Sequence, residues 1–180
     1  MKTILNVNQI QDSEKFTIEK QNILSIDLME RAASIFVKKF LASHKTNSKT
    51  VIFAGNGNNG GDALAVARML KYVIEPENLK IILIDTSPNK VSNYQVNLKR
   101  LIDSGNANIY EWAKDSAVVM DFLRVSDFVI DGILGTGVNR PVSENIGEVI
   151  TEINMIVSQF NIHVISIDIP SGLSADGLFI

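Results

Sequence analysis

Three short stretches of this chain join an acidic side chain to glycine or proline where the backbone must turn. They are Gly55 to Asp62 (GNGNNGGD), Asp131 to Pro141 (DGILGTGVNRP) and Asp168 to Gly172 (DIPSG). In the first, Gly55, Gly57 and Gly60 match G-x-G-x-x-G, a spacing that suits close approach of backbone to a dinucleotide. The glycines also permit positive φ, and free N–H groups at a helix start suit a pyrophosphate. Asp85, at the end of the next apolar run, stands where such folds keep a ribose-binding acid. Asn58 and Asn59 offer both amide donors and acceptors, more than a plain turn needs. Asp62 reads as an acid of the first helical turn that complements the helix dipole. The same charge would oppose a phosphate docked beside it.

The second stretch follows Asp131 with Gly135-Thr136-Gly137, whose N–H groups can form an anion-binding nest. Arg140 can add a bidentate contact to phosphate, or remain a solvated surface residue. In the third, Pro170 fixes φ and Gly172 frees it, so the turn aims Asp168 and Ser171. A Ser-His-Asp triad is not expected, because His44 sits in a polar connection and His163 at a strand start. There is no cysteine, and no Glu/His spacing suits zinc. Oxygen donors from Asn59, Asp131 and Ser171 suit a hard cation, and a single carboxylate among them favours a monovalent ion over calcium.

The elements that would carry these turns alternate. A polar helix is expected over Val7–Glu19, and a stronger one from a Ser25 cap. Its stripe is Met29, Ala32, Ala33, Phe36, Val37, Phe40 and Leu41. Then come a strand (51–54), a helix (61–72), a strand (80–84), a helix marked by Tyr94, Leu98, Leu101 and Ile102, and a short strand (107–112). A strand ending at Asp131, a helix with a stripe from Ile146 to Phe160, and a strand (163–167) ending at Asp168 complete the pattern. Apolar strands alternating with helices imply a parallel sheet covered on both faces, with every strand C-terminus on one edge. The three turns then share that edge, where ligands of such sheets bind. Trp112, Phe128, Phe160 and the methionines read as core residues.

The chain has 180 residues, 46% hydrophobic and 21% charged, which fits one folded domain. A net charge of −3 argues against nucleic acid or an anionic membrane as partner. No apolar run is long enough for a membrane span, and the N-terminus has no signal-peptide core. A cytoplasmic protein is expected.

Asn58–Asp62, Asp131–Gly137 and Asp168–Gly172 together resemble the N-terminal domain of the YjeF family, whose members are NAD(P)H-hydrate (NAD(P)HX) epimerases. Leu28 to Ala33 (LMERAA) looks like that family's opening helix. The resemblance implies a three-layer α/β/α Rossmann-like sandwich, with a mostly parallel central sheet and two N-terminal helices. It implies interconversion of the R and S forms of NADHX and NADPHX, in which C6 of the nicotinamide ring is hydrated. It also implies a functional link to an ADP/ATP-dependent dehydratase that repairs the S form. One potassium ion per subunit is implied, held at Asn59, Asp131 and Ser171. Substrate contacts are implied at Asn58, Asn59, Gly60, Gly61 and Asp62, at Gly135, Thr136, Gly137, Val138, Asn139, Arg140 and Pro141, and at Asp168. Asp168 is the candidate catalytic group, handling a proton or stabilising an iminium-like or ring-opened intermediate. The long N-terminal helices suggest a homodimer.

Two departures from the family pattern stand out. Ala63 follows the loop aspartate where the family usually has glycine. The family's domains also continue with a further strand carrying a Thr-rich segment and a lysine, often followed by a dehydratase domain. The expectation is thus one domain over 1–180, short of its last strand, with an open sheet edge and no dehydratase domain. Two other readings compete with the epimerase: an oxidoreductase using the G-x-G-x-x-G turn, and a non-catalytic interaction domain.

Overall fold

The computed structural model describes residues 5–137 and 141–177. In chain order the elements are α1 (Val7–Gln21), α2 (Ser25–Ser43), β1 (Thr50–Gly55), α3 (Asn58–Leu70), a 3₁₀ turn (Pro76–Asn78) and β2 (Leu79–Ile84). They continue with α4 (Ser92–Asp103), β3 (Ile109–Glu111), α5 (Trp112–Leu123), β4 (Phe128–Gly132), α6 (Glu144–Phe160) and β5 (His163–Ser166). The strands pair in the order β3-β2-β1-β4-β5, and every pairing is parallel. The order of strand addition reverses between β1 and β4, which opens a crevice beyond their C-terminal ends.

All six residues of the central strand β1 are buried. Ile52 and Ala54 face a core built with Ala33, Val37 and Phe40 of α2, Leu64 and Leu70 of α3, and Tyr94 and Leu101 of α4. Val51 and Phe53 face the other core, with Val119 and Leu123 of α5 and Ile146, Ile153 and Ile156 of α6. Alternation along each strand thus feeds two cores, and the result is the expected three-layer α/β/α sandwich. No helix among the described residues is long and apolar enough to cross a membrane.

The helix α1 stands outside this sandwich. None of its residues is buried. Its N-terminus is closed by a capping box, in which the Asn6 side chain accepts from Gln9 N–H (2.9 Å) and Gln9 Oε1 accepts from Asn6 N–H (3.0 Å). Its C-terminus stops at Asn22, in the left-handed conformation (φ 49°). Val7 N–H donates to Asp176 Oδ1 (3.1 Å), tying this end of α1 to the turn beyond Gly172.

Several local expectations change. Ser25 is the first helical residue of α2 rather than its cap, and Asp27 accepts from Leu24 N–H instead (3.0 Å). The strand expected over 107–112 is only three residues long, because Trp112 opens the unanticipated helix α5. Val119 and Leu123, four apart, carried that helical signal. Ile102 and Phe160, assigned to buried stripes, are exposed, as is Met155. Phe128 does pack, with Phe40, His44 and His163, at the N-terminal edge of the sheet. Both histidines are therefore structural and far from the three turns.

The largest correction concerns the Gly-rich turn. α3 starts at Asn58, with Gly57 as its N-cap, so Asn58 to Gly61 are already helical and Asp62 lies in the second turn. Gly55, Gly57, Gly60 and Gly61 are not among the glycines with positive φ. Gly55 and Gly60 permit close approach instead. A Cβ on Gly60 would lie 1.6 Å from the Gly55 carbonyl oxygen, and one on Gly55 would lie 2.0 Å from that of Ile133. The first turn of α3 is thereby wedged between β1 and the turn after β4. Ala63 is fully buried against Gly132. Gly60→Ala should lower unfolding free energy by roughly 3 kcal/mol or more, since backbone carbonyls cannot yield as side chains do; chemical denaturation measures it.

Candidate active site

A cleft of about 700 Å³ opens over the C-terminal ends of the strands. The first turn of α3 contributes Asn58 and Asn59, and the second contributes Asp62. The turn after β4 contributes Gly135, Thr136 and Gly137, and the turn after β5 contributes Asp168. The roof comes from α1, through Ile10, Glu14 and Ile18, and the flank from Leu28 and Met29 of α2.

Hydrogen bonds join the three turns directly. Asp131 is the penultimate residue of β4 and is 7% exposed. Its Oδ1 accepts from Ile133 N–H (3.1 Å) and Ser171 Oγ (2.5 Å), and its Oδ2 from Ser171 N–H (2.8 Å) and Ser166 Oγ (3.2 Å). Ser171 Oγ in turn accepts from Leu134 N–H (2.9 Å). The Leu134 carbonyl accepts from Asn59 Nδ2 (2.8 Å), which brings α3 into the same network. Thr136 N–H donates to Asp168 Oδ2 (2.7 Å) and fixes the orientation of that carboxylate. A Cβ on Gly135 would meet Asp168 Oδ2 at 2.7 Å, so this glycine makes room for the acid.

Asn59 Oδ1 is buried without a hydrogen-bond partner. An orphaned acceptor costs about 1–3 kcal/mol unless something occupies it. The Asn59 side chain belongs, through Nδ2, to the same network as the Leu134 carbonyl, Ser171 Oγ and Asp131. Among the described residues no three His, Cys, Asp or Glu side chains gather into a metal site. A donor set with one carboxylate and several neutral oxygens fits a weakly charged cation better than a divalent one.

The cleft is acidic. Among the described residues lining it are Glu14, Asp62 and Asp168, and no Lys or Arg. Burial, then the charges of Glu14 and Asp168, push the Asp62 carboxyl up to about 7. Burial and Asp168 raise Glu14 as well. Asp62 thus holds or releases a proton near neutrality, as a general acid or base must.

Of the residues anticipated for substrate, Asn58, Asn59, Asp62, Gly135, Thr136, Gly137 and Asp168 line the cleft. Gly60 and Gly61 are buried and shape the turn. Pro141 is exposed, and Val138, Asn139 and Arg140 lie outside the described residues. Asp131, Ser171 and Asn59 are brought together as anticipated. Glu14 was not anticipated, although Ile10, Glu14 and Ile18 fall at i, i+4 and i+8, an acid set within an apolar stripe. Asn56 was also missed; it is 1% exposed and ties the turn after β1 to the one after β2.

Between the ordinary aspartate range and about 7, folded Asp62 keeps a proton that the unfolded chain has released. Stability therefore falls as pH rises through that window. Asp62→Asn should match the wild type near pH 4 and exceed it near pH 8 by roughly 2–4 kcal/mol, at ~1.4 kcal/mol per pKa unit. Thermal unfolding across pH measures the difference.

The family model described as "YjeF-related protein N-terminus" matches residues 25–178. The NAD(P)H-hydrate epimerase of Limosilactobacillus fermentum is 33% identical, over 93% of this chain and 74% of that protein. That of Oenococcus oeni is 32% identical, over 96% and 76%. The bifunctional NAD(P)H-hydrate repair enzyme Nnr of Thermofilum pendens is 28% identical, over 96% of this chain and 32% of its own. The crystal structure of yeast ynu0 shares the fold, with a TM-score of 0.74 at 21% identity over 95% of this chain and 72% of that one. With its three turns joined at one cleft and its sequence matched from α2 to the turn after β5, the chain belongs to the YjeF N-terminal family.

Proposed function

We propose that this chain is an NAD(P)H-hydrate epimerase, interconverting the R and S forms of hydrated nicotinamide cofactors. The observation that carries the proposal is the placing of Asp62 and Asp168 on one acidic cleft, in a chain whose relatives bear that activity in their names.

The chemistry asks for an acid, a base and negative charge near a ring carbon. Asp62, protonated for part of the time at neutral pH, donates its proton to the C6 hydroxyl. The C6–O bond breaks, water leaves, and the ring nitrogen lone pair forms an iminium. Carboxylates along the cleft stabilise that cation. Water then adds to the opposite face of C6, its oxygen pair forming the new C–O bond, and Asp168 takes the released proton. The reverse reaction exchanges the two roles, and a proton passed between the acids resets the site. The diphosphate of the substrate lies toward the N-terminus of α3, where backbone N–H groups can hold an anion.

Asn59 Oδ1, Asp131 and Ser171 would hold a potassium ion. The orphaned Asn59 oxygen supports that assignment. When bound, the ion supplies positive charge that neutralises Asp131 and steadies the turn carrying Asp168. The dehydratase that consumes the S form is the functional partner; the bifunctional relative joins the two activities in its name. Exposed Phe16 and Leu24 support a homodimer formed through the N-terminal helices, and the cysteine-free composition supports a cytoplasmic setting.

The test is R/S interconversion of NADHX, followed from a single epimer. Wild type should restore the mixture, and Asp168→Asn should slow it by roughly 10²-fold or more, as loss of a proton-transfer group does. Asp62→Asn, which removes the proton donor, should slow it on the same scale and leave a residual rate without the pH dependence near neutrality. Wild-type rates in Asp168→Asn would end the assignment of that residue, and no interconversion by wild type would end the function. Potassium should raise the melting temperature more than sodium at equal ionic strength, with stabilisation near ~1.4 kcal/mol at ten times Kd. Asp131→Asn should abolish that difference.

A further inference from the structure

Asp85, the acid that follows β2, has no role in the site described so far. Its side chain is 76% exposed, and its nearest charge is Lys90 Nζ at 3.6 Å. It lines a second cavity, of about 290 Å³, with Thr86, Ser87, Lys90, Ser143 and Asn145. Thr86 also lines the main cleft, so the two cavities adjoin across this one residue. The joint between them is stiff. Buried Asn56 accepts from Thr86 Oγ1 (2.6 Å), donates through Nδ2 to the Ser87 carbonyl (2.5 Å), and accepts at its own carbonyl from Val91 N–H (3.3 Å).

Sheet order sets the distance. β2 lies three strands from β5, so Asp85 is roughly 14 Å across the edge from Asp168, at ~4.8 Å per strand. The turn after β1, with the N-terminus of α3, lies between them. A nicotinamide held at Asp168 and a diphosphate at α3 therefore leave the adenosine end of the dinucleotide pointing toward β2. An acid after the second strand accepts hydrogen bonds from ribose hydroxyls, and a ribose 2′-phosphate brought to the same spot meets its negative charge.

Resting on the epimerase reading above, we infer that the cavity beyond β2 is the adenosine-ribose subsite, and that Asp85 makes the chain prefer NADHX to NADPHX. Asp85 does this in two ways. Its carboxylate accepts from the 2′- and 3′-hydroxyls, and it engages Lys90, the cation that would otherwise receive a 2′-phosphate. Asn56 acts as the positioning residue for the loop.

The experiment measures affinity for ADP-ribose and 2′-phospho-ADP-ribose by calorimetry, beside kcat/KM for NADHX and NADPHX. Wild type should bind ADP-ribose more tightly. Asp85→Ala should shift the ratio of the two affinities, and of the two kcat/KM values, by about two- to fivefold toward the phosphorylated partner, the scale of one exposed charge contact. Adding Lys90→Ala should remove most of that gain. Asp85 is exposed, so the variant should keep the wild-type melting temperature. An unchanged ratio in folded Asp85→Ala, or no binding of either ADP-ribose, overturns the subsite. The two readings fail separately. ADP-ribose binding that shifts as stated upholds the subsite even where no R/S interconversion occurs, and interconversion with an unmoved ratio upholds only the epimerase.

Discussion

The carboxylate of Asp131 accepts four hydrogen bonds while almost wholly withdrawn from water. Burying a charge in this way is unfavourable unless its lone pairs are satisfied, and charge-assisted bonds are the strong ones. Two of its donors belong to Ser171, one to β5, and one to the turn that follows Asp131 itself. The carboxylate therefore fixes the turn after β5 against the turn after β4, and Ser171 extends the link through Leu134 to Asn59 on α3. Three segments separated by up to about a hundred residues become one rigid floor. Asp168 and the glycines beside it owe their positions to that floor.

Above it, the fold accepts an electrostatic cost. Asp62 sits in the second turn of α3, beside Asp168 and beneath Glu14 of α1, in a cleft whose described walls hold no basic side chain. Such an arrangement weakens the folded state above neutral pH, and stability conceded in a cleft is a common mark of function. The same negative field suits a substrate that becomes cationic at its ring and suits poorly one that carries a diphosphate. α1 is part of the balance. It buries no residue of its own, yet it closes the roof and supplies Glu14.

Much of this was legible in the sequence. Apolar runs ending in Asp131 and Asp168 marked parallel strands whose C-termini share an edge, while the asparagine pair read as part of a turn and proved to open α3. The meeting of the three turns followed from topology alone. What the sequence did not disclose depends on packing. Gly55 and Gly60 looked like residues needed for positive φ, but they are required because two backbones nearly touch. Asp62 looked like a helix-dipole acid, and only burial beside two other carboxylates makes it titrate near neutrality. Glu14 lay in a helix that read as merely polar. α5 went unread because Trp112 looked like the end of a strand, while its packing against Phe53 comes from helical backbone.

The most direct test of this architecture is amide hydrogen exchange of Asp131→Ala against wild type, residue by residue. If one buried carboxylate holds the site together, Ile133, Leu134 and Thr136 should lose protection together with Ser171 and the first turn of α3. The amides of β1 and β2 should keep theirs. Loss confined to Ile133, next to the substitution, would contradict the account and leave the three turns as neighbours that assemble independently.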